Sequence, residues 1–416
     1  MIEKLRGTRD FYPEQMAARR KVFDIISDVC DRFGFRETES PCIESFELIA
    51  KRSGEDIVRE MYAFEDKGKR TICLRPDLTS SVARMIVERQ KGLTKPQKWY
   101  SIQKFWRYEE PQSGRLREFY QLNADIFGSD KPESDAELLC LGIEMLKALG
   151  LRDFIFTVSD RRFLRGILED MGVREIEKAF RTIDKRDKVS RDEFRQGLKE
   201  AGIVDEEKID YILSTSGSLK EISRFSDEKS LLTRRAVENL TSISEILEDY
   251  GCLNYCTLDL SIARGFDYYT GMIFEVYDKA KAVRSLFGGG RYDNLVELFG
   301  GETCPAVGYA MGDVVLELMM RKEGLWPAET LQTDYFVAGV GNVRKTVIEL
   351  VTKLRKSHSV EYDLLSRNLT NQIKYADKIG AKKLIIVGER DLKEGIVTIR
   401  DLVSGKEERK KIDEVE

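Results

Sequence analysis

The stretch KFWRYEEPQSGRLREFYQLNADIFG, Lys104–Gly128, reads as a strand, a polar loop and a second strand. In the second strand Gln121, Asn123 and Asp125 fall on one face, and apolar residues alternate with them on the other. Aromatic residues close both ends of the polar face, which argues against free solvation. We therefore expect this face to line a pocket; an ordinary half-exposed strand is the alternative.

A second stretch, LDLSIARGFDYYTGMIFEV at Leu258–Val276, predicts a strand, a tight Arg-Gly turn and another strand. Each stretch places one arginine, Arg107 or Arg264, among aromatic and apolar residues. A guanidinium in such surroundings is costly to desolvate unless an anion meets it. The two arginines together predict a pocket for a phosphate.

The bulk composition limits the class of protein. A length of 416 residues predicts two or three domains with a large core. The net charge of −4 means that any contact with nucleic acid must use local basic faces. The sequence contains neither a transmembrane-length apolar run nor a signal-peptide core, so we expect a cytoplasmic protein without membrane contact.

Cysteine and histidine usage argues against two kinds of site. The seven cysteines are scattered, and although Cys252 and Cys256 are close, no second pair or histidine accompanies them, which favours buried reduced thiols over zinc. The single histidine, His358, lies far from every candidate motif. Catalytic triads and histidine general bases are thereby excluded.

The order of predicted elements divides the chain. An amphipathic helix is expected from Pro13 to about Phe33, a strand-rich region over 71–130 and a helix over about 132–149. Residues 174–250 are almost entirely helical in pattern and rich in charge. This change of composition indicates an inserted helical module, and a plain solvated helical bundle is the alternative.

Strand patterns return at Leu258. Gly288–Gly290 predicts a tight turn into a short helix at Tyr292–Phe299, and Ala306–Met320 predicts a strand, a turn and a helix. After a linker the pattern alternates as in a small α/β domain of mixed sheet. Its predicted elements are strand Tyr335–Gly339, helix Arg344–Lys356, helix Leu369–Ile379, strand Lys383–Val387 and strand Val397–Leu402.

Five motifs spread over nearly the whole chain carry a family resemblance. They are LRGTRDFYP near the start, RPDLT at Arg75–Thr79, FWRYEEP at Phe105–Pro111, ARGFDYYTG at Ala263–Gly271 and FGGGRYDNL at Phe287–Leu295. Together they resemble the histidyl-tRNA synthetase family of class II aminoacyl-tRNA synthetases. FWRYEEP alone indicates only class II synthetases in general.

The resemblance implies a fold and its domain boundaries. An α+β catalytic domain with an antiparallel sheet, class II synthetase-like, is expected over 1–173 and 251–325. A helical insertion over 174–250, a linker over 326–333 and a C-terminal α/β anticodon-binding domain over 334–416 complete the expected arrangement.

The resemblance also implies an activity. The enzyme would join L-histidine to ATP, forming histidyl-adenylate and pyrophosphate, and then transfer histidine to the 3′ end of tRNA(His). ATP would arrive with Mg²⁺, and the protein would be a homodimer. The attacking carboxylate is already ionised at neutral pH, so the enzyme must supply alignment and charge neutralisation rather than a general base.

The resemblance assigns residues to ATP. Arg107 and Arg264 match arginines that approach the α-phosphate from two sides and are the expected catalytic residues. Glu109 would face the adenosine or its Mg²⁺, Arg115 would reach the outer phosphates, and Phe119 would stack on adenine.

One departure from the family pattern concerns the third class II motif. In GYAMGDVVLEL, Val315 stands where the family has an arginine for the ATP tail. The resemblance therefore implies that Arg291 or Arg115 compensates, or that ATP binding is altered.

The resemblance likewise assigns a histidine pocket. Asp77 would take the α-ammonium, Gln121 the carboxylate, and Asp125 and Tyr269 the two ring nitrogens. The remaining members are Thr79, Arg264, Tyr268 and Tyr292. Asp77 and Thr79 also fit the start of the helix at Ser80–Glu88. Many relatives carry glutamate at the positions of Asp77 and Asp125.

Three alternatives differ in class. The first is the non-catalytic regulatory paralogue of ATP phosphoribosyltransferase in histidine biosynthesis, which usually lacks the C-terminal domain and tends to lose the arginine at position 264. The second is another class II synthetase, which ARGFDYYTG argues against. The third is a non-catalytic RNA-binding adaptor, against which the intact polar strand face argues.

Overall fold

A computed structural model of the chain describes residues 2–51, 55–184, 186, 189–203, 205–262, 268–279 and 285–415, with only the backbone at 55, 56 and 184. The chain forms two compact units. One comprises Met1–Asp10 and Val22–Trp326, and the other comprises Phe11–Lys21 and Pro327–Glu416.

The helices and strands follow one another along the chain in an α+β order. They are α1 Pro13–Arg32, β1 Arg36–Glu37, β2 Ile43–Ser45, α2 Phe46–Ala50, α3 Glu55–Arg59, β3 Tyr62–Glu65, β4 Thr71–Leu74, α4 Thr79–Arg89, β5 Gln97–Trp106, β6 Glu118–Phe127, α5 Pro132–Ala148, β7 Phe154–Asp160, α6 Arg161–Asp170, α7 Ile176–Asp184, α8 Arg191–Glu200, α9 Glu206–Ser214, β8 Ser216–Ser218, α10 Leu231–Asp249, β9 Cys256–Asp259, β10 Met272–Asp278, β11 Phe287–Arg291, α11 Leu295–Leu298, β12 Ala306–Gly312, α12 Asp313–Lys322, β13 Thr333–Val340, α13 Arg344–Leu354, β14 Val360–Tyr362, α14 Leu369–Lys378, β15 Ala381–Gly388, α15 Glu389–Lys393, β16 Ile396–Asp401 and β17 Glu407–Lys411. No helix in the described ranges is both long and apolar enough to traverse a lipid bilayer.

A large, mostly antiparallel sheet forms the centre of the first unit. Over the described residues its order is β1-β5-β6-β12-β11-β10-β7-β9-β8, and β1 with β5 and β7 with β9 pair in parallel. The predicted strand–loop–strand unit is confirmed as β5 and β6, which pair with Gln103 opposite Gln121. β2, β4 and β3 form a separate small sheet.

The triple glycine of FGGGRYDNL lies within a strand, so the predicted tight turn is wrong. Gly288–Gly290 occupies β11, between β10 and β12. A Cβ at Gly289 would stand 2.3 Å from the carbonyl oxygen of Gly308, and one at Gly290 would stand 2.6 Å from that of Met272. The glycines are needed because neighbouring strands approach too closely for side chains.

The two strands predicted in the second stretch are present as β9 and β10. β9 and β10 are not neighbours, because β7 lies between them and pairs with both. The expected Arg-Gly turn, with Arg264, falls outside the described residues.

The helical region after β7 shares the core of the large sheet. Helices are present as predicted, but α10 packs on α5 and α6, and its Leu240 belongs to the same apolar cluster as Phe156 and Phe274 of the sheet. β8 also extends the sheet by pairing with β9. The region is therefore joined to the sheet by apolar packing and by hydrogen bonds.

The second unit contains the predicted mixed sheet. Its order is β14-β13-β15-β16-β17, in which β13 pairs in parallel with β14 and β15, and the remaining pairs are antiparallel. Valine, leucine and isoleucine side chains of α13 and the strands form one apolar cluster. A second cluster includes Phe336 of β13 and Ala376 of α14.

Candidate active site

Two cavities lie over the polar face of the large sheet. The large cavity, about 640 Å³, is lined by Arg107, Glu109, Gly114, Arg115, Leu116, Phe119, Gln121, Tyr277, Ser285, Leu286, Ala310, Gly312, Val314 and Val315. The small cavity, about 200 Å³, is lined by Asp77, Thr79, Arg107, Gln121, Asn123, Asp125, Tyr268, Tyr269, Gly288, Tyr292, Gly308, Tyr309 and Ala310. Arg107, Gln121 and Ala310 line both cavities, so the two spaces adjoin there.

Arg107 occupies this junction directly after β5. Its backbone N–H donates to the carbonyl of Arg117 at 3.0 Å, which continues the pairing of β5 with β6. Its Nε donates to the carbonyl of Pro76 at 3.0 Å, and its Cζ lies 5.3 Å from the centre of the Phe119 ring. A guanidinium fixed by backbone and by a ring is preorganised to meet an anion.

Glu109 and Arg115 form an ion pair on the wall of the large cavity. Arg115 Nε lies 2.7 Å from Glu109 Oε2, and the Arg115 side chain is 46% exposed while that of Glu109 is 8% exposed. Burial, together with the charge of Glu109 and a hydrogen bond to it, raises the pKa of Glu60. The carboxyl group of Glu109 and the guanidinium groups of Arg107 and Arg115 thus line this wall, and the Glu60 carboxyl group interacts with all three.

The large cavity is apolar where the third motif begins, at Val314 and Val315. Val315 lies against Gly114, with 3.3 Å from its Cγ2 to a Cβ built on the glycine. The preceding Asp313 accepts the N–H of Tyr120 at 2.9 Å and pairs with Arg9 at 2.7 Å. The role of Arg9 was not predicted, because only the folded chain brings it beside α12.

A buried hydrogen bond organises the small cavity. The Tyr292 hydroxyl donates to Asp125 Oδ1, and the two residues are 2% and 4% exposed. Burial and the negative charge of Asp125 raise the pKa of Tyr292 well above its ordinary value, so the hydroxyl remains a donor. A Cβ at Gly308 would stand 2.0 Å from Asp125 Oδ1, so the glycine leaves room for the carboxylate.

Three of the four tyrosines that line the small cavity form an aromatic cluster. The ring centres of Tyr268 and Tyr269 are 4.7 Å apart, and they lie 6.0 Å and 6.5 Å from that of Tyr292. Such a cluster suits a flat ring with polar edges, since aromatic faces stack and hydroxyl groups can pair with ring nitrogens.

Polar groups complete the small cavity. Gln121 Nε2 donates to Asn123 Oδ1 at 2.9 Å, so Asn123 joins the site although it was not among the predicted ligands. Asp77 Oδ1 accepts the backbone N–H of Thr79 at 3.1 Å, where α4 begins. Asp77 and Thr79 thus lie at the start of α4 and also line the small cavity. Their binding of histidine stays a prediction.

The expectation that Arg291 binds ATP is corrected by the geometry. Arg291 is 3% exposed. Its Nε and Nη2 donate to Asp135, Nη2 also donates to Ser134 Oγ, and Nη1 donates to the carbonyl of Ser129 and to Asp293 Oδ1. These contacts use all five guanidinium N–H groups. The structure therefore places Arg291 in a buried ion pair apart from the large cavity.

Arg264, the other expected catalytic residue, lies outside the described residues. Among the residues that the structure does describe, no cluster of three or more Asp, Glu, Cys or His side chains could hold a metal ion. Glu109, the expected Mg²⁺ ligand, lines the large cavity in its pair with Arg115.

Comparison with known proteins identifies close relatives. Residues 7–313 match the family described as histidyl-tRNA synthetase, and residues 334–416 match the family described as anticodon binding domain. The chain is 46% identical to the histidine–tRNA ligase of Natronomonas pharaonis, covering 97% of this chain and 95% of that protein. It is 42% identical to the histidine–tRNA ligase of Pyrococcus furiosus, covering 100% of this chain and 98% of that protein.

Solved structures agree on the fold. The histidyl-tRNA synthetase from Nostoc sp. PCC 7120 superposes with a TM-score of 0.85 at 25% identity, covering 99% of this chain and 97% of that one. A second structure comes from Bacillus halodurans and is described as an ATP phosphoribosyltransferase regulatory subunit/histidyl-tRNA synthetase. It superposes with a TM-score of 0.79 at 23% identity, covering 93% of this chain and 98% of that one. The second similarity concerns the fold alone.

Proposed function

Because the chain belongs to the histidyl-tRNA synthetase family, we propose that it activates histidine with ATP and transfers the histidine to tRNA(His), using the two adjoining cavities. The observation that carries this proposal is their meeting at Arg107 and Gln121. A reaction between two substrates needs their reacting atoms held side by side. The large cavity would hold ATP, and the small cavity would hold histidine.

Arg107 would act at the reacting centre. The histidine carboxylate attacks the α-phosphorus of ATP, a bond forms from oxygen to phosphorus, and pyrophosphate leaves. Negative charge grows on the phosphoryl oxygens during this step. A preorganised guanidinium at the junction stabilises that charge, and the ionised carboxylate needs no general base. Arg264 remains a proposed second contact on the same phosphate, as the family resemblance implies.

The small cavity would select histidine by its ring. Asp125, held by the Tyr292 hydroxyl, is poised to accept an imidazole N–H, and Tyr269 can pair with the other nitrogen. Asp77 would meet the α-ammonium and Gln121 the carboxylate. An amino acid without a ring N–H would not form this hydrogen bond with the buried Asp125, which disfavours its binding.

In the large cavity, Phe119 would support adenine and Arg115 would reach the outer phosphates. Mg²⁺ would fit as an ion held chiefly by ATP, because Mg²⁺ commonly uses one or two carboxylates together with substrate phosphates. Glu109 is the proposed protein ligand, with Glu60 beside it. When bound, the ion would neutralise charge on the leaving pyrophosphate.

The other parts of the proposal concern the contacts with tRNA, the oligomeric state and the cellular location. Residues 334–416, which match the anticodon-binding family, would grip the anticodon arm of tRNA(His). The helical region over 174–250 is a proposed insertion that touches the acceptor arm. We further propose that the enzyme works as a homodimer in the cytoplasm.

ATP–pyrophosphate exchange with each of the twenty amino acids tests the proposed function. Exchange with histidine alone is expected. Exchange driven by proline or threonine with histidine silent would refute the proposed substrate. A folded protein that binds histidine but exchanges with no amino acid would instead favour the regulatory paralogue.

A further inference from the structure

The Arg291 side chain is buried and forms hydrogen bonds with several separate parts of the chain. Its partner Asp135 is fully buried in the first turn of α5. Arg291 Nη2 lies 2.6 Å from Asp135 Oδ1, and Nη1 lies 3.1 Å from Asp293 Oδ1 and 2.8 Å from the carbonyl oxygen of Ser129. A guanidinium in which every donor is used fixes the direction of each segment that accepts from it.

Three of the chain segments around Arg291 lie next to, or contain, residues that line the small cavity. Ser129 lies two residues beyond β6, the strand that holds Asp125. Tyr292 follows Arg291 directly, and its hydroxyl bonds Asp125. The third segment is the Tyr268–Tyr269 pair, which is followed by Thr270. Arg291 thus touches or adjoins each chain segment that supplies the aromatic and acidic groups around the proposed imidazole position.

Thr270 links Arg291 and Asp293 to the segment that contains Tyr268 and Tyr269. Its backbone N–H donates to the carbonyl of Arg291 at 2.7 Å. Its Oγ1 lies 3.1 Å from Asp293 Oδ2 and accepts the backbone N–H of Asp293 at 3.0 Å. The next residue, Gly271, approaches so closely that a Cβ there would stand 3.1 Å from Arg291 Cδ. The segment after Tyr269 is therefore held by main-chain and side-chain bonds together.

We propose that Arg291, with Asp135, Asp293 and Thr270, forms a clasp that positions the histidine-selective end of the small cavity. This inference rests on the proposed function, and it makes Arg291 a positioning residue rather than an ATP ligand. The clasp acts through Tyr292 and Tyr269, which its hydrogen bonds hold at fixed distances from Asp125.

The clasp also reaches the helical region. Asn239 of α10 donates to Asp135 Oδ2 at 3.5 Å, so a long contact joins the clasp to a helix within residues 174–250. Burial raises the pKa of Asp135 to about 6, although Arg291 and Asn239 lower it. A carboxylate that costs free energy to bury suits a geometric role better than a purely stabilising one, since an apolar pair would hold the fold equally well.

Kinetics of Arg291→Lys and Thr270→Val test the clasp. Lysine keeps the charge but presents one compact ammonium, which cannot serve acceptors on several sides. Valine keeps the shape of threonine without its hydroxyl. We expect both variants to raise the KM for histidine in pyrophosphate exchange by about tenfold or more, with the KM for ATP changed less than about twofold. Thr270→Ser, which keeps the hydroxyl, should restore the wild-type KM.

A matched control separates positioning from lost stability. Leu198→Ala removes a fully buried side chain in α8, and it should lower Tm without raising the KM for histidine. Variants of the clasp that lower Tm but leave the KM for histidine unchanged would overturn the inference, as would equal increases in both KM values. Wild-type protein that shows no exchange with histidine would contradict the proposed function itself, so the two failures are distinguishable.

Discussion

Tyr292→Phe removes a single hydroxyl group from the small cavity and should weaken histidine binding. The hydroxyl donates to Asp125 Oδ1 between two residues that are at least 96% buried. A hydrogen bond to a charged group contributes about 1.5–3 kcal/mol. Without the Tyr292 hydroxyl, the Asp125 carboxylate must be reoriented before it can meet the ring, and this costs up to that amount on binding. At 1.4 kcal/mol per tenfold, the Kd for histidine should therefore rise by as much as about 10- to 100-fold. The affinity for ATP, which the large cavity would hold, should remain near the wild-type value.

Isothermal titration with histidine and, separately, with ATP would measure this effect. Tyr100→Phe is a matched control, since Tyr100 is 4% exposed on β5 and packs in the main apolar cluster rather than in either cavity. It should leave the Kd for histidine unchanged. If Tyr292→Phe binds histidine as tightly as the control does, Asp125 does not depend on Tyr292, and our account of the small cavity is wrong.

Two further outcomes concern the C-terminal unit. Lys374→Glu with Lys378→Glu, both on the exposed side of α14, should raise the KM for tRNA and flatten its salt dependence without altering pyrophosphate exchange; an unchanged KM would remove this face from the proposed tRNA contact. A hydrogen bond from Lys382, then bonds from Ser359, lower the pKa of Asp334. The stabilisation is fully present above the unfolded pKa, so Asp334→Asn should lower Tm near neutral pH. The difference should begin to shrink as pH falls below about 4 and should continue to shrink as pH falls towards the lowered folded-state pKa; a difference that stays constant over this acid range would contradict the ion pair's role.

The strands that build the site were predictable because their signal is local. The alternation in β6 places Gln121, Asn123 and Asp125 on one face whatever the rest of the chain does. The helices α5 and α14 were likewise predicted to within a residue or two of their bounds. The family motifs predicted which residues from other parts of the chain would line the pocket beside this face.

Other elements depend on contacts that the local pattern does not encode. Glycine ordinarily marks a turn, and only the closeness of Gly308 and Met272 in space explains a strand at Gly288–Gly290. β17, Glu407–Lys411, consists of five exposed charged residues at a sheet edge and has no apolar alternation to reveal it.

Pairings across the chain were the least predictable part of the site. Tyr292 and Asp125 form a hydrogen bond although they are 167 positions apart in the sequence, and Arg291 and Asp135 do so at a separation of 156 positions. The sequence suggested Arg291 as an ATP ligand because Val315 stands where the family has an arginine for the ATP tail. Instead, the buried carboxylate of Asp135 on α5 holds the Arg291 side chain, which lies at the end of β11, and no spacing rule links the two residues.

Single-turnover formation of histidyl-adenylate by Arg107→Ala tests the central claim most directly. Arg107 lines both cavities, so it should act on the transition state more than on either substrate alone. Losing such a contact typically costs about 3–4 kcal/mol, or roughly 10²–10³ in rate. We predict that slowing, with the Kd for histidine changed less than about threefold. An unchanged rate of adenylate formation, or a loss that saturating histidine fully restores, would contradict the placement of the reaction at the junction of the two cavities.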